Sequence, residues 1–266
     1  MMSEVRYIVA EGDGAQGIAA EAAKRVVRIA KEAVDRSGRF YFALSGGSTP
    51  RALFNHLAEL NTARRIDWQH THIFFGDERC VPPDDDQSNY KMAKETLLDK
   101  VPVPENQIHR MEGELDPPVA AEHYEQEIRD SFELYSGAWP VFDLILLGMG
   151  PDGHTASLFP GTAGLDVVDR LAIANEVPQM KTTRLSLTVP VIREARDIML
   201  LVGGTDKADA ARRALTAPTD IHATPVQLVR QASGNVSWIF DASLGAEIAD
   251  AIQKAKAAPR TEAQES

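Results

Sequence analysis

Short apolar runs that end in glycine or polar turns and lead into amphipathic stretches recur along nearly the whole chain. This rhythm restricts the fold more than any other feature. Phe40 to Leu44 runs into Ser45-Gly-Gly-Ser-Thr-Pro50, and Thr71 to Phe75 into Gly76-Asp-Glu-Arg79. Phe142 to Leu147 meets Gly148-Met-Gly150, and Asp197 to Val202 meets Gly203-Gly204. Tyr7 to Ala10, the alternating Arg184 to Val189, and Val236 to Phe240 read as further strands. The intervening segments have helical spacing. In Ala15 to Asp35, residues Ile18, Ala22, Val26, Ile29 and Ala33 recur at three- and four-residue steps, with Gly38 just beyond. Pro50 to Leu60, Asn89 to Leu98 (with Ser88 as cap), Pro118 to Tyr135, Asp206 to Leu215 and Ala242 to Ala257 read likewise.

Strands alternating with helices pair mostly in parallel and carry helices on both faces. The expected fold is therefore α/β: a three-layer, mostly parallel open sheet, Rossmann-like in plan. No repeat or long linker interrupts it, so residues 1–258 are expected to form one domain and 259–266 a polar tail.

Charge and composition exclude several classes of function. The formal net charge of −11 argues against nucleic acid as the main partner, because backbone phosphates call for a broad basic face. A small anion is still acceptable, since screening confines charges to about 8–10 Å at ordinary salt. No apolar stretch approaches the roughly 20 residues that span a bilayer. The N-terminus has no apolar signal core, so export is not expected. Cys80 is the only cysteine, which fits a reducing, cytoplasmic setting.

Candidate chemistry gathers at the strand ends. In open α/β sheets, ligands bind outside the carboxyl ends of strands. Ser45, Gly46, Gly47, Ser48 and Thr49 join a strand to a helix. Glycine lets backbone N–H groups approach an oxyanion, and a helix N-terminus adds free donors and partial positive charge. A capped βα turn would produce the same residues. Lys207, after Gly203-Gly-Thr-Asp206, falls in a first helical turn, where a cation is unfavourable unless an anion is bound. Lys181 and Arg184 are further phosphate candidates, one a point charge and the other a fork.

Among seven histidines, only His154 sits in a glycine-flanked turn with a carboxylate, Asp152, two residues away. A carboxylate can orient an imidazole and favour its charged form. A capping aspartate beside a structural histidine is the plain alternative. Gly148-Met-Gly-Pro-Asp-Gly153 matches a dinucleotide fingerprint, but Pro160-Gly161 interrupts any helix that should follow. No nicotinamide cofactor is expected; the glycines instead suggest a backbone bent tightly around a small substrate. The run Asp84-Asp-Asp86 reads as a solvated loop. No histidine pair or cysteine cluster has zinc spacing, so neither metal nor cofactor is expected.

Several blocks together resemble the 6-phosphogluconolactonase family. They are Ala43-Leu-Ser-Gly-Gly-Ser-Thr-Pro50, Phe75-Gly-Asp-Glu-Arg79 with Asp86-Gln-Ser-Asn-Tyr90, and Gly148-Met-Gly-Pro-Asp-Gly-His-Thr-Ala-Ser-Leu-Phe-Pro-Gly161. Arg184-Leu-Ser-Leu-Thr188 and Gly204-Thr-Asp-Lys-Ala208 extend the match. The resemblance implies a fold shared with glucosamine-6-phosphate deaminases and ribose-5-phosphate isomerases. It also implies cofactor-free hydrolysis of a phosphorylated sugar lactone, 6-phospho-D-glucono-1,5-lactone, in the pentose phosphate pathway. Its implied roles are His154 as general base, Asp152 as its orienting partner, and Asp77 as an acid in the same network. Arg79 or the glycine-turn amides would meet the oxyanion. The deaminase relatives typically carry tyrosine where this chain has Arg79, which favours the lactonase. A deaminase-like isomerase and a non-catalytic sugar-phosphate sensor are the alternatives. A monomer or homodimer is expected.

Overall fold

The computed structural model describes residues 4–257. The expected tail, 259–266, lies outside the described residues. Nine strands and nine α-helices are described: β1 (Val5–Val9), α1 (Gly14–Ser37), β2 (Phe40–Leu44), α2 (Ser48–Ala58), α3 (Leu60–Ala63), β3 (Thr71–Phe75), β4 (Asp77–Arg79), α4 (Asn89–Thr96), α5 (Pro117–Ser131), β5 (Leu144–Leu147), β6 (Ala172–Val177), β7 (Thr182–Leu187), α6 (Val189–Arg193), β8 (Asp197–Val202), α7 (Ala208–Thr216), β9 (Asn235–Phe240), α8 (Ala242–Glu247) and α9 (Ala249–Ala257).

Six strands form one parallel sheet in the order β1-β9-β8-β5-β2-β3. Its central strands are buried on both faces, which explains their unbroken apolar sequences: all four residues of β5 are buried. Right-handed crossovers then fix the layers. The steps β1→β2 and β2→β3 run one way along the sheet, and β5→β8 and β8→β9 run the other way. Hence α1 and α2 cover one face, where they pack together, and α7 covers the opposite face. The expected three-layer arrangement is present.

Strands β2 and β5 are neighbours, yet their outgoing connections lead in opposite directions. The chain therefore opens a crevice at their carboxyl ends, the topological switch point of the sheet.

Several elements differ from the sequence expectation. The strand expected over Arg184 to Val189 is β7, two residues earlier, and it lies outside the main sheet. It pairs antiparallel with β4 and β6 in a second, three-stranded sheet. Strand β4 has only three residues, all charged, and gives no hydrophobic signal. The expected helix Pro118 to Tyr135 ends at Ser131, and Glu133 beyond it has a left-handed φ of 54°. The expected helix over Ala242 to Ala257 breaks at Ile248, which is fully buried. The helix expected from Asp206 starts at Ala208, after a 3₁₀ turn over Thr205–Lys207.

Candidate active site

Four strand ends bring their following turns into one cleft of about 280 Å³. Its lining includes Ser45, Gly46, Gly47, Ser48 and Thr49 after β2, Asp77 and Arg79 of β4, Gly150 and His154 after β5, and Lys207 after β8. A second pocket, around His109, Arg110, His123 and Glu127, differs in one respect. Its charged side chains pair with one another: His109 with Glu127, His123 with Glu112, and Arg110 with Glu114. In the first cleft the Lys207 ammonium, among the described residues, has no ion pair.

The turn after β2 is shaped by its glycines. Gly47 has φ of 102°, which reverses the chain into α2. The amides of Ser48 and Thr49, in the first turn, have no intrahelical acceptor. Gly46 is required for another reason. A Cβ there would lie 1.9 Å from the side-chain oxygen of Asn89. Asn89 is buried at the start of α4 and donates to the Asp77 carbonyl at 2.9 Å and to Asp77 Oδ1 at 3.3 Å.

Asp77 and Glu78 point to different duties. The Asp77 carboxylate also accepts from the Ser157 hydroxyl at 2.7 Å. Glu78 is spent on structure: it accepts from the amides of Arg79, Asn89 and Tyr90 and from the Ser88 hydroxyl, so it ties down the start of α4. Burial pushes its carboxyl above the usual range, against the pull of those donors. Ser88 caps α4 as expected, accepting from the Lys91 amide. Arg79 donates to the Gln87 carbonyl and holds the Asp84–Gln87 loop beside the cleft.

The cations fall into three places. Arg184 stands opposite Arg79 in the β4–β7 register. Its Nε is buried without an acceptor, and burial and then Arg79's charge depress its ionisation. Arg79 lines the cleft, whereas Arg184 is not among its lining residues. Lys207 is half-buried, and burial lowers its ionisation despite Asp206 and Asp241 nearby. Among the described residues it makes no ion pair. Lys181 is different. It occupies the exposed turn between β6 and β7, with φ of 50°, and does not line the cleft.

His154 and Asp152 are joined as a pair. His154 Nδ1 lies 2.6 Å from Asp152 Oδ1, and the His154 amide donates to the same oxygen at 3.1 Å. A carboxylate accepts, so Nδ1 carries the hydrogen and Nε2 of the neutral ring keeps its lone pair. Burial alone would raise the Asp152 carboxyl, but the His154 contacts outweigh it and hold the carboxyl below its ordinary value. The ring is 29% exposed, so water and substrate can reach it. Gly153 has φ of 89°, and Gly150 makes room for the His154 ring. Gly148, Met149, Gly150 and Pro151 of this turn also line the cleft. Thr155 anchors the segment to the Gly148 carbonyl at 2.8 Å.

Sequence reasoning did not assign Asn89, Ser157 or Phe159 to the site. Asn89 was visible only within the block Asp86 to Tyr90. Ser157 meets Asp77 across eighty positions of sequence, which no local pattern reveals.

Fold and cleft define a doubly wound α/β protein with a glycine turn at a helix N-terminus and an Asp–His pair at one switch point. A family model described as glucosamine-6-phosphate isomerases/6-phosphogluconolactonase matches residues 13–238, and the chain belongs to that family. It is 39% identical over 217 residues to a 6-phosphogluconolactonase of Nostoc sp., covering 81% of this chain and 88% of that one. With the Synechocystis sp. 6-phosphogluconolactonase it shares 40% identity over 220 residues, with 82% and 88% covered. The solved structure of 6-phosphogluconolactonase from Trypanosoma cruzi superposes with a TM-score of 0.80 at 30% identity, over 92% of this chain and 97% of that one. A monomeric glucosamine-6-phosphate deaminase matches at 18% identity with a TM-score of 0.73, a likeness of fold alone.

Proposed function

We propose that this chain hydrolyses 6-phospho-D-glucono-1,5-lactone to 6-phospho-D-gluconate, a step of the pentose phosphate pathway. One observation carries the reading: His154, held by Asp152, lines the same cleft as the glycine turn after β2. Its relatives in Nostoc and Synechocystis bear the name of that activity.

The phosphate, with about −1.5 to −2 charges at neutral pH, sits against the amides and hydroxyls of Ser48 and Thr49, with Lys207 and Arg184 as counter-charges. Binding this remote group fixes the lactone carbonyl near His154. His154 Nε2 takes a proton from water, and the water oxygen attacks C1. Asp152 stabilises the imidazolium that forms. Arg79 and the turn amides face the charge that develops on the carbonyl oxygen. The tetrahedral intermediate collapses, the C1–ring-oxygen bond breaks, and the leaving oxygen takes the proton back from His154. Water is the nucleophile in this scheme. The Ser157 hydroxyl is committed to Asp77, and among the described residues no serine is hydrogen-bonded to His154.

The test is substrate choice. The purified chain should open freshly generated lactone faster than its spontaneous hydrolysis and release no ammonia from glucosamine 6-phosphate. Ammonia release without lactone opening would establish the deaminase reading instead. Tight binding of 6-phosphogluconate with neither activity would leave a sensor.

A further inference from the structure

The imidazole of His154 is held by more than Asp152. Phe159, 5% exposed, lies face to face with it, the ring centroids 4.1 Å apart and the planes 25° from parallel. Gly150 closes on the ring as well. A Cβ at that position would stand 2.2 Å from both Cε1 and Nδ1 of His154, and 2.7 Å from Asp152 Oδ1. Gly150 is not in the left-handed region, so its backbone would accept alanine. The ring, rather than the turn, requires glycine there.

Asp152 alone is a poor lock. It sits two residues from His154, and one oxygen receives both the His154 amide and the ring Nδ1. A ring tied only at that edge can pivot about the bond. With Phe159 against one face and Gly150 against the Cε1–Nδ1 side, the pivot is blocked, and among the described residues Nε2 is the edge left without a protein partner.

We propose that Gly150 and Phe159 are positioning residues that form a slot for the His154 imidazole. This deepens the lactonase reading and rests on it. The chemistry uses Nε2 twice, first to take a proton from water and then to return it to the leaving ring oxygen. Both transfers need the nitrogen in one place, within hydrogen-bond reach of each oxygen. Misplacement by about 1 Å can cost a hundredfold in rate, so the slot acts on turnover. The phosphate cradle lies on other turns, so the slot leaves binding alone.

The experiment compares Phe159→Leu, Gly150→Ala and His154→Ala with the wild type, using freshly generated lactone. Phe159→Leu keeps the apolar volume and removes the flat face. It should lower kcat about tenfold, and Gly150→Ala about a hundredfold, each with KM within about twofold of wild type. A second readout is the imidazole Nδ1 proton by NMR, which the Asp152 contact shelters from exchange. It should be visible in the wild type and broadened in Phe159→Leu. Should Gly150→Ala fail to fold, Phe159→Leu decides the matter. Normal kcat in Phe159→Leu alongside an inactive His154→Ala would overturn the slot. A rise in KM matching the fall in kcat would overturn it too, since that marks general disruption of the cleft. If the wild type opens no lactone, or His154→Ala is fully active, the lactonase reading fails, and the NMR signal then decides the slot by itself.

Discussion

Lys207 is the cleft cation whose removal has the most readable consequence. Its ammonium is half-buried and has no ion pair among the described residues, and burial already works against its charge. A phosphate of about −1.5 to −2 charges would relieve that cost directly. Hydrogen bonds to charged groups contribute about 1.5–3 kcal/mol. Losing one should therefore weaken binding by roughly 10- to 150-fold, at about 1.4 kcal/mol per tenfold. Lys207→Ala should raise KM in a coupled assay by that range and leave kcat within a few-fold. Calorimetry with 6-phosphogluconate should report the same loss of affinity. Folding should survive, because removing an unpaired, half-buried charge leaves no partner stranded. An unchanged KM together with unchanged product affinity would remove Lys207 from the phosphate site. A large fall in kcat at constant KM would move it to the reaction itself.

Two further outcomes concern pH and lie away from the cleft. Burial, then the neighbouring His109 and Arg39, lowers His72 from 6.5 to about 4. A depressed histidine contributes stability fully above 6.5 and loses it as pH falls through about 4. At about 1.4 kcal/mol per pH unit the bound is about 3 kcal/mol, and solvent at this half-exposed ring reduces it to about 1–2. His72→Gln should flatten denaturant-measured stability between those pH values, and an unaltered profile would refute the assignment. Asp197, at the amino end of β8, is raised from 3.8 to about 6 by burial, against an Asn235 hydrogen bond. A raised carboxyl contributes stability below 3.8 and loses it as pH rises through about 6. Asp197→Asn should therefore gain about 1–2 kcal/mol at pH 8 after allowance for screening, and nothing below pH 4. Lower stability at pH 8 would contradict this.

The sequence revealed the parallel sheet better than the small one. Strands β2 and β8 lie where their apolar runs predicted, because interior strands covered on both faces need mostly hydrophobic sequence, and the edge strand β3 lies where predicted as well. Strand β4 has no such need; its three charged residues serve the cleft, and only its pairing with β7 marks it as a strand. That small sheet also carries Lys181, expected at the phosphate, to the exposed β6–β7 turn and off the cleft lining. The Asp152–His154 pair was legible because both residues share one tight turn. The supports of Asp77 were not, since Asn89 and Ser157 reach it from separate segments. The turn Gly148 to Gly153 is expected to bend around a small substrate; it lines the cleft, and Gly150 in it also makes space for an imidazole, which the sequence does not show. A glycine shows where space is needed, and only packing shows what fills it.

Hydrolysis by His154→Ala tests the central claim most directly. The rate of opening of fresh 6-phospho-D-glucono-1,5-lactone, less its spontaneous opening, should fall about 10²- to 10⁴-fold relative to wild type, with affinity for 6-phosphogluconate retained. An undiminished rate in that variant would contradict the assignment of His154 as the base.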